Sequence, residues 1–348
     1  MKRATNFELL KLICMIFVVS LHICTQSGIA DMPSSVANGI LFIIFSEFGR
    51  TACTVFVMVS AWFLSDASFK TERLFTVWFK TLIYTIVIYF FIYNSYQMPW
   101  YDFFPIGGGI LWFVSAYMCL LLVSPVLNAA IKYTDRNYLL LVVLLIGVPM
   151  QIYATISRTD GQLGNNVLWF IWIYLFMGFV KKYPVRVFDN RILMLAIFLI
   201  TCAIRLLPRI EIRYSGRIPC IESWLPYLDW WQAVLWTIPN FLTAASLFFL
   251  FYKLNIKYNA IINFIGAHFL AVYVFHQLPF FYEHLWDGIF QCSKYAGSGI
   301  AVLYMIFVII CILVFASLID LIFDRLILSH LSSMLDKPFK RINCLLNS

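Results

Sequence analysis

The sequence predicts an all-α polytopic membrane protein with about ten transmembrane helices, and three observations carry that expectation. Of its 348 residues, 62% are hydrophobic and only 12% are charged, and the mean hydropathy is +0.86, a composition suited to lipid rather than water. The apolar residues lie in long unbroken runs instead of short alternating segments, so each span closes its backbone hydrogen bonds within one helix. Basic residues are also unevenly divided between the two sides. With the N-terminus inside, seven (Arg50, Arg158, Arg205, Arg209, Arg213, Arg217 and Lys294) fall outside, Lys11 lies within the membrane, and the other 17 of 25 fall inside. Positive charge accumulates on the cytoplasmic side, so both termini are expected there.

Taken in order, the apolar runs centre near residues 15, 58, 87, 119, 145, 173, 199, 243, 272 and 310. Met1-Lys2-Arg3 before the first run resembles a secretory leader, but no small-residue cleavage pattern follows, so the run reads as a retained span. Residues 1–348 are expected to form a single integral-membrane domain with no appended soluble domain. The longest outer segment, Leu207 to Trp230, is too short to build a core alone. Arg205, Arg209, Arg213 and Arg217 recur there every four residues, a spacing that puts them on one side of a helix. They read either as an interfacial row meeting lipid phosphates or as a docking surface for an anionic, pyrophosphate-linked glycan carrier.

The net charge of +8 is scattered singly between apolar runs, which excludes a soluble nucleic-acid-binding face. Nine cysteines contain no Cys-x-x-Cys pair, and Cys14, Cys119, Cys202 and Cys311 sit inside apolar runs, which argues against zinc or redox chemistry. Cys220 and Cys292 share the outer side and are the one candidate disulfide. His268, His276 and His284 recur every eight residues, each turned 80° from the last on a straight helix, so they make no one-faced metal site. Gly107-Gly108-Gly109 is a hinge, not a nucleotide-binding loop.

The first span holds the clearest chemical signal. Glu8, Lys11 and His22 interrupt an otherwise apolar helix, and ionisable groups in such a helix normally face the bundle interior. The eleven-residue step from Lys11 to His22 turns the helix about 20° beyond three full turns, so the two share a face, and Glu8 joins it one short turn earlier. His22 lies about 22 Å along from Phe7, in the outer half of a layer about 30 Å thick. Glu8 and Lys11 lie near the inner surface, where they can also simply snorkel or pair with each other. An imidazole titrating near neutrality suits a general base or an acyl acceptor.

Glu8-Leu9-Leu10-Lys11, ten residues and then His22 resembles the first-span signature of the membrane-bound acyltransferase family 3. Arg50 followed by an apolar run to Ser60-Ala61-Trp62 is similar to the family's second span. Leu111-Trp112-Phe113 with Pro125 resembles the fourth, and Ile265-Gly266 with Tyr273-Val274-Phe275-His276 resembles the penultimate one. The anchors occur in family order across nearly the whole chain. Lys11 stands where Arg is commoner, Ala61 where Gly is usual, Thr54 where Pro is frequent and His268 where a small Ser is common. Only Arg73 and Lys80 flank Phe75 to Phe79, so the family's paired-Arg motif is not intact.

The resemblance implies transfer of an acetyl or succinyl group from cytoplasmic acyl-CoA, a donor substrate and not a cofactor, to a hydroxyl of a surface polysaccharide or lipid-linked sugar. It also implies a multi-pass location in a cell membrane, a bacterial inner or plasma membrane, in contact with its lipid. The catalytic candidates are His22, Lys11 and Arg50, with Glu8, Tyr273 and His276 as substrate-binding residues and no metal. His22 would either take the acceptor proton or transiently carry the acyl group. Arg50 would stabilise an oxyanion or orient the acceptor, or simply pair with Glu47 at i, i+3. Tyr273 and His276 would line the acceptor mouth or belong to an interfacial belt. Trp112 and Phe113 read as packing groups, and Glu283 and Asp287 as a solvated end. A non-enzymatic glycan exporter or flippase, a glycan polymerase and an inactive sensing module of the same fold are the competing functions. Oligomeric state is not legible.

Overall fold

The computed structural model describes residues 4–92, 111–159, 164–214 and 222–347, and their regular structure is entirely helical. The Gly107 hinge, Arg217 and Cys220, with its possible disulfide, lie outside these residues. Helix α1 (Thr5–Gln26) runs through the centre, burying Leu10, Cys14, Val18 and Val19. It packs on α2 (Val36–Glu47) and α3 (Gly49–Leu64). These two join at Phe48 and together form one apolar stretch of 29 residues. The sequence placed the second span at α3 alone; α2 adds a segment alongside α1. Around this core follow α4 (Thr71–Ile92), α5 (Trp112–Tyr133), α6 (Arg136–Ser157), α7 (Asn166–Lys182) and α8 (Arg191–Tyr214).

The next two expected spans are both broken. Helices α9 (Leu225–Ala233) and α10 (Ile238–Tyr252) meet at 51°, and α11 (Ala260–Ala267) and α12 (Phe269–Gln277) meet at 52°. Pro239 near the start of α10 fits the first break, since proline suits a first helical turn and not a helix interior. The second break has no proline and falls at His268. The straight ninth span assumed for the histidine spacing is therefore incorrect. Helix α13 (Ala301–Phe323) leads through a wide turn into α14 (Ser329–Asn347).

Seven of the described helices are long and apolar enough to cross a membrane, or nine if each bent pair counts as one span. The chain is thus a multi-pass membrane protein. The remaining expected span, centred near residue 173, falls on α7, whose 17 residues include buried Trp169, Ile173, Tyr174 and Met177. Asn165 caps its start by accepting from the Val167 N–H at 2.8 Å. Its Trp172 indole lies where a Cβ on Gly147 would stand, and it donates to the Val143 carbonyl at 2.8 Å. Only a glycine lets α6 and α7 approach in this way.

The arginine row is not what its outer position suggested. Arg205 is wholly buried. Its guanidinium donates to Glu47 Oε1 and Thr51 Oγ1, both at 2.8 Å, and to the Glu47 carbonyl at 2.9 Å. Arg209 lies 3.0 Å from Glu47 Oε2 and donates to Asp229 at 2.8 Å. The reading of these two as groups turned to lipid phosphate or to a glycan carrier is corrected, because an acidic residue more than 150 positions earlier absorbs their charge. The proposed Glu47–Arg50 pairing falls with it, since both Glu47 oxygens face α8. The segment after α8 is also more ordered than a loop. In α9, Leu228 and Trp231 are buried, and the Trp230 and Trp231 indoles donate to the Ala154 and Thr155 carbonyls of α6 at 2.9 and 3.2 Å.

Removing one partner of a buried pair leaves an uncompensated charge, at a cost of about 3–5 kcal/mol. Glu47→Ala is therefore expected to lower the thermal unfolding midpoint of the detergent-solubilised protein, and Glu47→Leu combined with Arg205→Met to recover much of the loss. Equal midpoints for wild type and Glu47→Ala would show that the pair does not hold α2 to α8.

Candidate active site

The stripe on α1 survives folding as one line of contacts. Lys11 Nζ lies 2.8 Å from Glu8 Oε2. It also reaches the Gly266 carbonyl at 3.5 Å and sits 5.8 Å from the centre of the Phe269 ring. Gly266 is the last glycine before the α11/α12 break, and a Cβ there would collide with the Glu8 carboxylate. The Glu8–Lys11 pairing that the spacing allowed is thus present, and it is pressed against the broken helix instead of reaching for the interface.

Beyond this pair opens a cavity of about 360 Å³ between α1, α3, α4, α5 and the α11/α12 break. Lys11 and Gly266 stand at one end, and Val18, Cys53, Phe113 and Tyr273 line it further along. Most of its wall is apolar. Tyr273, buried, tilts against Phe113 with ring centres 5.7 Å apart. His22 follows Val18 by one turn of α1, about 6 Å further along the helix axis.

His22 is not isolated. Its Nδ1 lies 2.9 Å from His276 Nε2, and His276 Nδ1 lies 2.5 Å from the Val272 carbonyl one turn earlier in α12. A carbonyl only accepts, so His276 Nδ1 carries a proton and donates it to Val272. In neutral His276 the Nε2 is then a bare acceptor, and His22 Nδ1 must supply the proton between the rings. His22 is left with an unprotonated Nε2. His276, expected to bind substrate, is buried; its hydrogen bond fixes the His22 tautomer, as a carboxylate does for the histidine of many catalytic triads.

Arg50, at the start of α3, is half-buried with its guanidinium 4.9 Å from the centre of the Trp112 ring. Trp112, read from sequence as packing, therefore also seats Arg50 by a cation–π contact. Three residues beyond Arg50 along α3, Cys53 lines the cavity. The fold thus gathers Glu8, Lys11 and Tyr273 around the cavity, His22 and His276 into a hydrogen-bonded pair, and Arg50 onto the face of Trp112.

A second polar cluster escaped the sequence reading. Asp320 of α13 accepts from Lys80 Nζ at 2.8 Å and from the Tyr84 hydroxyl through Oδ1, and from His268 Nδ1 at 2.5 Å through Oδ2. Lys80 is also 2.5 Å from Asp324. His268, Asp320 and Asp324 bring their ligand atoms close enough together for a metal, but the Lys80 ammonium already stands between the two carboxylates as their cation. The signal was available: Lys80 and Asp320 are single charges inside apolar runs, the same anomaly that drew attention to α1.

A family model described as an acyltransferase domain matches residues 5–319. No match is found among curated proteins or among solved structures. The match takes in all of α1 to α12 and with them both histidines and the cavity, so the chain belongs to the acyltransferase 3 family and is a multi-pass membrane acyltransferase.

Proposed function

We propose that the protein transfers an acyl group from acyl-CoA, entering at the end of the bundle that holds Lys11, to a hydroxyl of a surface polysaccharide or lipid-linked sugar at the His22 end. The observation that carries this reading is the His22–His276 pair at 2.9 Å, which turns an unprotonated His22 Nε2 to the task of base. The acceptor hydroxyl gives its proton to that nitrogen while its oxygen attacks the thioester carbonyl. The tetrahedral oxyanion is stabilised by the Arg50 charge. Collapse breaks the C–S bond, and the departing thiolate takes the proton back from His22. The cavity between Lys11 and Val18 suits the pantetheine arm and its acyl end.

Apolar lining favours a short uncharged acyl group, acetyl, over succinyl. A succinyl carboxylate would need a cation in the cavity, and the one in its wall, Lys11, is paired with Glu8. On the donor side, Lys80 is committed to Asp320 and Asp324 and does not serve as a phosphate grip. Arg73 remains: its guanidinium has no ion-pair partner among the described residues, and Val77, one turn later on α4, lines the cavity. Arg73 thus fits contact with the donor phosphates. The membrane is read as a bacterial inner or plasma membrane with Lys11 near the cytoplasm, supported by the inner excess of Lys and Arg.

Three variants test this reading on the purified full-length protein with labelled acetyl-CoA and an oligosaccharide acceptor. His22→Ala is expected to lower kcat by about 10²–10⁴-fold. His276→Phe should lower kcat with little change in KM, and His276→Asn, which restores an acceptor for His22 Nδ1, should recover part of the rate. Transfer by His22→Ala at the wild-type rate removes His22 from the chemistry.

The donor grip has its own signature. Arg73→Gln is expected to raise the KM for acetyl-CoA while leaving that for acetyl-pantetheine, which lacks the nucleotide phosphates, unchanged. An equal rise for both donors would assign Arg73 a structural role instead.

A further inference from the structure

Helix α14 lies beyond the residues matched by the family model and takes no part in the site described above. At 100° per residue, Leu331, Met334, Leu335, Phe339, Ile342 and Leu345 fall on one arc, with Ser333, Asp336, Lys337 and Lys340 opposite. Four charged residues in 19, with Pro338 among them, make α14 too polar to cross the membrane. One edge of the apolar arc belongs to the bundle. Phe339 is buried with its ring 5.4 Å from that of Phe75, and the Asn343 side chain accepts from the Thr71 N–H at 2.8 Å and donates to Glu72 at 2.9 Å. The helix is thereby fastened to the start of α4, at the end of the bundle where Phe7 of α1 meets Phe63 of α3.

The other edge of the arc is open: Met334 is 77% and Leu345 71% exposed. Arg341 and Lys337 lie within about 80° of these two residues around the helix. Lys340 is paired with Asp336 at 2.6 Å, but Lys337 and Arg341 have no ion-pair partner among the described residues. An open apolar strip flanked by two unmatched cations, on a helix held at one end of a membrane bundle, is complementary to an anionic lipid surface. The apolar strip meets the acyl boundary and the cations meet the head groups. We propose that α14 is an interfacial helix that binds anionic lipid head groups through Lys337 and Arg341, with Met334 and Leu345 inserted beneath them.

The test uses the full-length protein in nanodiscs of phosphatidylcholine with or without phosphatidylglycerol. The exposed Cys344 is replaced by Ser, and a spin label is placed on Met334→Cys, Leu345→Cys or Ser333→Cys. Relative accessibility to oxygen and to a water-soluble nickel complex reports depth. Labels at 334 and 345 should favour oxygen, the label at 333 should favour nickel, and phosphatidylglycerol should drive the first two deeper. Lys337→Gln with Arg341→Gln should abolish the shift caused by phosphatidylglycerol while family-core folding, read from the thermal midpoint, is kept. Water-like accessibility at 334 and 345 in both lipids would overturn the proposal. So would depth that ignores phosphatidylglycerol or the double variant. Labels at 334 and 345 inaccessible to both reagents would show a protein surface covering α14, and overturn it equally.

Discussion

A charge among apolar helices must find its counter-charge or a full set of hydrogen bonds, because hydrocarbon offers neither. In this bundle that requirement decides which helices touch. Glu47 joins α2 to α8 through Arg205 and Arg209, Asp320 joins α13 to α4 and to the α11/α12 break, and Glu8 with Lys11 presses α1 against Gly266. The apolar packing fits around these charges by shape, as where the Trp172 indole fills the space beside Gly147, because lipid tails are as apolar as Leu and give helices no hydrophobic reason to associate. Charges therefore set the register, and the aromatic and aliphatic contacts fill in around them.

The broken span is where two of these networks meet. From the α1 side, the Glu8 carboxylate occupies the space beside Gly266 and Lys11 reaches that residue's carbonyl. From the α4 and α13 side, Asp320 holds the His268 ring at the break itself. Gly266 and Phe269, on either side of His268, both line the cavity. The bend at His268 thus lies where both networks attach, and its two sides form one wall of the cavity. The departure from Ser to His at position 268 is thereby explained: a short hydroxyl would not supply the ring nitrogen that meets Asp320.

What the sequence disclosed was local. The 3.6-residue period placed Glu8, Lys11 and His22 on one face without any knowledge of the partners, and hydropathy located the apolar runs. It could not show that His276, 254 positions from His22, ends at its Nδ1, because helix periodicity carries no information about which helices become neighbours. The arginine row failed for the same reason. Its four-residue spacing was correct, but its environment was inferred from its place in an outer segment, and Glu47 lies on a different helix. The breaks were hidden too, since hydropathy averages over a window and a 52° bend at His268 leaves the apolar content of the span unchanged.

A histidine pair packed among apolar helices, with His276 buried and His22 half-buried, has little water with which to solvate a lasting positive charge. The proposed transfer asks for no such state. The proton taken from the acceptor hydroxyl is returned to the thiolate within the same turnover, and His22 begins and ends neutral with its Nδ1 proton still shared with His276. Charge appears on the imidazole only while the oxyanion beside it carries the opposite sign. The apolar surroundings that would penalise a persistent imidazolium then strengthen the attraction between the two transient charges. The same apolar surroundings that make His22 an awkward residue in a membrane helix thus favour the one interval in which it must be charged.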